Sequence, residues 1–170
     1  DGAERAKLDA RDPRIGREVA VKVVAAEASR DPTVARRFEL EVRAAGALNH
    51  PNILTVYEIG QVDDHPFIAT EFVEGVTLRK RMADGGLDAG EVIDIFSQVA
   101  RALSAAESAG VVHCDIKPDN IMLRNDGYVK VLDFGLAFVR DPLSIEELTQ
   151  PGVVRGTIQY MSPEQLKLEH

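Results

Sequence analysis

The order of apolar and polar positions divides the chain into a β-rich first part and a longer helical and loop-rich second part. Glu18 to Ala25 (EVAVKVVA) is β-branched and nearly continuously apolar apart from Lys22, which predicts a buried strand with one charged residue aimed inward. A lysine so placed needs a counter-charge. Asp31-Pro32 reads as an N-cap followed by proline at the first helical position, opening a helix to about Leu48. Phe38, Val42, Ala45 and Leu48 form its apolar stripe, and Glu41 lies on or next to that stripe, so its carboxylate is the obvious partner for Lys22. Ile53 to Ile59 and Pro66 to Val73 read as two strands joined by a hairpin connection over Gly60 to His65. With the first strand they predict an antiparallel sheet accompanied by one helix.

The second part begins with a loop through Gly85-Gly86. Asp88 then caps a long helix whose Val92, Phe96, Val99, Leu103 and Ala106 share a face, with Gly110 just past its end. Asn125-Asp126-Gly127 is a tight turn between Ile121-Met122-Leu123 and Tyr128 to Leu132. Beyond Asp133 the chain is rich in Pro, Gly, Ser and Thr, a long loop of the functional kind. The expected class is α+β in two lobes, with residues 1–73 as the small lobe and 74–170 as part of a larger, helical one.

Composition narrows the function without naming it. The 170 residues are 45% hydrophobic and 28% charged, enough for one globular domain with a core. A net charge of -8 argues against a nucleic-acid binder that works by neutralising phosphates. A single cysteine, Cys114, permits no internal disulfide, and no stretch resembles a secretory leader or membrane span. A cytoplasmic domain with no membrane contact of its own is the expectation, and a longer parent chain leaves room for an anchor. The spacing of His50, His65, His113 and His170 fits no metal site.

Phosphoryl transfer asks for cations on nucleotide phosphates, oxygen ligands for magnesium, and a carboxylate beside the attacking hydroxyl. His113-Cys114-Asp115-Ile116-Lys117-Pro118-Asp119-Asn120 sets a carboxylate, a lysine and an amide on one loop, and Asp133-Phe134-Gly135 adds a second carboxylate after the hairpin. With Val19-Ala20-Val21-Lys22 ahead of them, these motifs in this order resemble the eukaryotic-type protein kinases. Phrases such as Asn49-His50-Pro51-Asn52-Ile53 and Tyr160 to Gln165 resemble the bacterial branch of that family.

The resemblance implies ATP and Mg²⁺ as cofactors and protein substrates as partners. It implies that Lys22, steadied by Glu41, contacts the α- and β-phosphates, that Asp115 accepts or orients the hydroxyl proton, and that Lys117 stabilises the transferred group. Asn120 and Asp133 are the implied magnesium ligands. Glu71-Phe72-Val73 corresponds to the hinge whose backbone holds adenine, with Thr70 as gatekeeper and Ala20 and Met122 packing on the ring. Lysine at position 117 is the pattern of Ser/Thr kinases. Asp133 to Glu164 is similar to an activation segment, with Thr157 a structural hydroxyl and Thr149 and Ser144 as candidate phosphorylation sites.

Three departures accompany the resemblance. Before Ala10, where a glycine-rich phosphate loop belongs, only Gly2 fits; Arg5 stands at the last glycine position and Lys7 where a valine would cover adenine. Cys114 replaces an arginine that pairs with a phosphorylated activation segment, which implies weaker dependence on Thr149 phosphorylation. Cys114 itself reads as a small buried hydrophobe in preference to a redox sensor. The chain also stops six residues after Glu164, without the helices that bury that glutamate against an arginine. Exposed apolar surface there favours partner contact or a homodimer. Two other functions stay in view: a nucleotide-binding scaffold without catalysis, and a small-molecule kinase, which the long segment ending in Ser162-Pro163-Glu164 disfavours.

Overall fold

The computed structural model describes residues 5–24, 46, 48–63, 65–133, 138–139 and 158–163. Most of the helix predicted from Pro32, with Glu41, lies outside them, Gly46 being helical and Leu48 past the helix, and so do Gly2, Phe134, Gly135, Ser144, Thr149, Thr157 and Glu164.

The β-branched run around Lys22 forms a strand, β2 (Arg17–Val24), paired antiparallel with β1 (Arg5–Asp12) on one side. On its other side lies β4 (His65–Glu71), and β3 (Val56–Val62) pairs with β4, giving the order β1-β2-β4-β3. The antiparallel sheet expected from the sequence is therefore present. Arg5 and Lys7 belong to its edge strand, opposite Val24 and Lys22 in register.

The β3–β4 hairpin is tighter than the sequence implied. Val62 pairs with His65, and Asp63 takes a left-handed φ of 47° to turn the chain, a conformation short polar side chains adopt more readily than others. Gly60 is opposite Phe67, whose ring lies 2.7 Å from where a Cβ on residue 60 would sit. A side chain at position 60 would displace that ring. Among the residues whose side chains are described, Val19, Ile68 and Ala69 are the buried apolar ones of this sheet.

After the sheet come β5 (Gly75–Thr77) and a short helix, α1 (Leu78–Ala83), capped by the Thr77 hydroxyl, which accepts from the Lys80 N–H at 3.2 Å. The long helix α2 (Ala89–Ser108) starts at Asp88 as expected, with a reciprocal capping box between Asp88 and Glu91. Gly110, at a φ of 74°, ends the helical chain and donates to the Glu107 carbonyl. Of the face expected for this helix, Val99 and Ala106 are buried and Leu103 packs against the core, but the first half is rotated: Ile95 and Ala102 face the core, while Phe96 is 51% and Val92 36% exposed.

That core also receives Ile53, Leu78, Val111, Ile121, Val129 and Val131. Each large aliphatic side chain removed from water here contributes about 1.5–3 kcal/mol. β6 (Val111–Val112) pairs with β9 (Phe138–Val139), while β7 (Ile121–Arg124) lies between β5 and β8 (Val129–Val131). Gly127, at a φ of 84°, supplies the predicted turn between β7 and β8. No helix among the described residues is long and apolar enough to cross a membrane.

The segment leading into β3 is stitched to β8. Ile53 bridges Val131 in parallel, Leu54 N–H donates to the Val131 carbonyl at 2.9 Å, and Val131 N–H donates to the Asn52 carbonyl at 2.8 Å. Buried Asn52 donates through Nδ2 to Gln98 on α2 and to the Val129 carbonyl. Its amide therefore meets acceptors where an apolar neighbour would leave it stranded.

Candidate active site

The loop between β6 and β7 holds its side chains through its own hydrogen bonds. Asp115 Oδ2 accepts from Lys117 Nζ at 2.7 Å and from Asn120 Nδ2 at 3.2 Å, and the Asp115 carbonyl accepts from the same Asn120 amide at 2.9 Å. Pro118 to Asn120 form a single 3-10 turn that brings Asn120 back over Asp115. Asn120 is 9% exposed. Because its NH₂ donates to Asp115, its amide oxygen is the group left to face a cation.

His113 joins this loop to the segment that runs from β8 to Asp133. Its buried ring donates from Nε2 to the Leu132 carbonyl at 2.8 Å and accepts at Nδ1 from the Asp115 N–H at 3.3 Å. That pattern requires the neutral tautomer with its proton on Nε2. Burial holds its pKa below the ordinary histidine value, against smaller opposing pulls from the Leu132 bond and the Asp133 and Asp115 charges. Leu132 N–H in turn donates to the Asn120 carbonyl at 2.8 Å. Asn120 and Asp133 are thereby brought to neighbouring places through Leu132.

Asp133 has a left-handed φ of 52° and Cys114 one of 62°. Non-glycine residues at such angles carry strain of about 1–3 kcal/mol, and both flank the loop's carboxylates. Cys114 is half-buried, with Sγ 3.5 Å from the Val112 carbonyl.

Across from this loop, Lys22 Nζ on β2 reaches Asp133 Oδ1 at 3.4 Å. The lysine side chain is 13% exposed and the aspartate 43%. Lys22, Asp133, Asn120, Asp115 and Lys117 thus form one connected group. The expected Lys22–Glu41 pairing lies outside the described residues; among the described residues, Asp133 is an anion in contact with Lys22.

Asn120 and Asp133 offer hard oxygen donors from adjacent strand ends, a set that suits Mg²⁺. Magnesium takes one or two protein oxygens and completes its shell with phosphates and water, so it needs no cage of three carboxylates. Among the described residues there is no such cage of His, Cys, Asp and Glu.

The segment expected to hold adenine begins at the end of β4. Ala20 and Thr70 are paired in register, and the Thr70 hydroxyl lies 3.4 Å from the Ala20 carbonyl and 3.2 Å from that of Glu71. Phe72 and Val73 follow outside the strand, Phe72 exposed and Val73 half-buried. Met122 is on β7, opposite Thr77 and Lys130. The packing of Met122 and Ala20 on one adenine ring is what the sequence resemblance implies.

Sequence reasoning missed Lys130. Its Nζ donates to Glu71 Oε1 at 2.6 Å and to the Ile53 carbonyl at 3.2 Å, and the two paired side chains are only 7% and 13% exposed. Removing one partner of such a pair costs about 3–5 kcal/mol, because the other charge is left dry. Arg79 was missed as well. It donates to Asp119 in the loop at 3.0 Å and to the Tyr160 hydroxyl at 2.6 Å, linking α1, the loop and the 3-10 turn Ile158–Tyr160. The Arg79 guanidinium holds the Asp119 carboxyl below its usual range.

With this geometry in view, residues 7–170 match the family described as Protein kinase domain. The chain is 43% identical over 164 residues to the probable serine/threonine-protein kinase PknB of Corynebacterium glutamicum, covering 93% of this chain and 25% of that protein. It is 40% identical over 157 residues to the serine/threonine-protein kinase PknL of Mycobacterium bovis, 92% of this chain and 39% of that one. Against PknB of Mycolicibacterium smegmatis the identity is 42% over 165 residues, 94% of this chain and 26% of the relative. The chain therefore spans well under half the length of these relatives.

Proposed function

The chain belongs to the protein kinase domain family, and on that premise we propose that it binds Mg-ATP and transfers the terminal phosphoryl group to Ser or Thr hydroxyls of proteins. Residues 1–73 are read as the small lobe and 74–170 as the part of the large lobe that carries the catalytic loop. The observation that carries the reading is the contact of Lys22 with Asp133 at 3.4 Å, which brings a cation of the sheet to the loop's oxygens.

In this reading Lys22 neutralises the α- and β-phosphates and Glu41 steadies it. Asn120 and Asp133 hold magnesium, which when bound supplies charge neutralisation at the transferring group. Asp115 accepts the proton of the attacking hydroxyl as the new oxygen–phosphorus bond forms and ADP departs. Lys117, 2.7 Å from the Asp115 carboxylate, sets its orientation and supplies positive charge to the transferring phosphoryl. The adenine lies against Ala20, Thr70 and Met122, with its polar edge toward the backbone of Glu71 and Val73. Relatives named as serine/threonine-protein kinases support the acceptor class, as does Lys117 itself.

Radiolabel transfer from ATP to a generic protein, compared between wild type and Asp115→Asn, tests the proposal. A fall of about 100-fold or more in the variant is expected. Equal transfer by the two proteins removes Asp115 from its role, and nucleotide binding without transfer by the wild type selects a non-catalytic module.

A further inference from the structure

Among the described residues, Lys130 is the one Lys, Arg, Asp or Glu buried as deeply as the apolar core, at 6% exposure. A lysine is kept there only if its ammonium is well bonded. Its partners lie on two different pieces of chain, the Glu71 carboxylate and the Ile53 carbonyl. Glu71 is held again by Thr55. The Thr55 N–H donates to Glu71 Oε1 at 2.7 Å, and the Glu71 N–H donates to the Thr55 carbonyl at 2.9 Å.

The Glu71 side chain is therefore engaged by Lys130 and Thr55, and its backbone is fixed from the same side. From Lys130, the chain runs directly through Val131 and Leu132 to Asp133. One ammonium thus fixes the start of the Glu71-Phe72-Val73 segment relative to the strand that delivers Asp133. We infer that Lys130 is a positioning residue for nucleotide binding: it touches no nucleotide, and it holds the Glu71 backbone preordered to meet the adenine edge. Without it, that segment has to be ordered at the moment of binding, which weakens affinity. The loss falls on ground-state binding, so KM and Kd for nucleotide rise while kcat is largely kept.

The inference rests on the kinase reading through the place it gives to adenine. Its test uses ADP as the probe, whose binding is read without phosphoryl transfer. In the full chain, Lys130→Met keeps the length of the side chain and removes the charge. The expected result is a rise of about tenfold in ADP Kd and in KM for ATP, with kcat changed by less than about threefold. Lys130→Arg, which restores a cation, is expected to return Kd to within about threefold of wild type.

Should Lys130→Met fail to fold, the double variant Lys130→Met with Glu71→Gln removes the stranded carboxylate and is expected to fold while keeping the weakened ADP binding. A merely structural ion pair would lower the melting temperature and leave Kd where it was. Unchanged ADP Kd in a folded variant lacking the Lys130 charge overturns the inference, as does a fall in kcat with KM unmoved. A wild type that binds ADP and transfers nothing sinks the catalytic reading and leaves the role of Lys130 to be decided by Kd. A wild type that binds no ADP overturns both.

Discussion

Lys22 Nζ and Asp133 Oδ1 stand 3.4 Å apart although 111 positions of chain separate them. One is fixed in the middle of a four-stranded sheet, between β1 and β4, and the other lies two residues past the end of β8, the strand that carries Lys130. Opposite charges at this distance in a partly dried cleft attract more strongly than in water. The same two groups would have to share the phosphates and the metal when nucleotide enters.

Replacing Lys22 by methionine is expected to lower phosphoryl transfer by about 100-fold or more, because a preordered cation is lost from the site of developing charge. Initial rates at saturating ATP measure this. A variant retaining more than about half of wild-type rate would show that Lys22 pairs with Asp133 for structural reasons alone.

His113 sets a pH dependence of stability. Burial depresses its folded-state pKa below the ordinary value, so as pH falls below about 6.5 the unfolded chain takes up a proton that the folded one resists. The contribution is present above that value and is lost as pH falls through the folded pKa. Denaturant midpoints recorded from pH 7.5 down to 5 are expected to decline in the wild type and to decline less in His113→Gln, which cannot titrate. Parallel curves for the two proteins would assign the acid sensitivity to other groups.

The rotated face of α2 gives a contrast between neighbours. Ile95, 8% exposed in the core cluster, is expected to cost about 2–5 kcal/mol on truncation to alanine. Ile93, 65% exposed, is expected to cost less than about 0.5 kcal/mol. Urea unfolding of both variants decides the matter, and comparable losses would contradict the place of Ile95 in the core.

The cluster in the loop between β6 and β7 was legible because its residues are near neighbours in the chain: Asp115, Lys117 and Asn120 cannot be far apart, and the structure closes them into one hydrogen-bonded knot. The antiparallel sheet was legible for a similar reason, since β-branched runs and a short reversal leave few other pairings. The face of α2 was not. Val92, Ile93, Ile95, Phe96, Val99, Ala102 and Leu103 populate two overlapping stripes, and only packing against Ile53, Val111 and Val131 selects between them. Helix α1 is too short for periodicity to register, with Leu78 its one buried residue. Lys130 was within reach. It interrupts the apolar run of β8 as Lys22 interrupts that of β2, and the demand for a buried partner applied equally to both.

The bridge between Ile53 and Val131 divides the molecule differently from the order of its secondary structure. Residues 52–54 precede β3 in the chain, yet their hydrogen bonds tie them to β8 and α2. If the cleft widens to admit or release a nucleotide, the swinging part would begin beyond Thr55, which Glu71 ties to Lys130, and the bending would fall between that clamp and the rest of β3 and β4. The sheet carrying Lys22 would then pivot on a base already tied to β8.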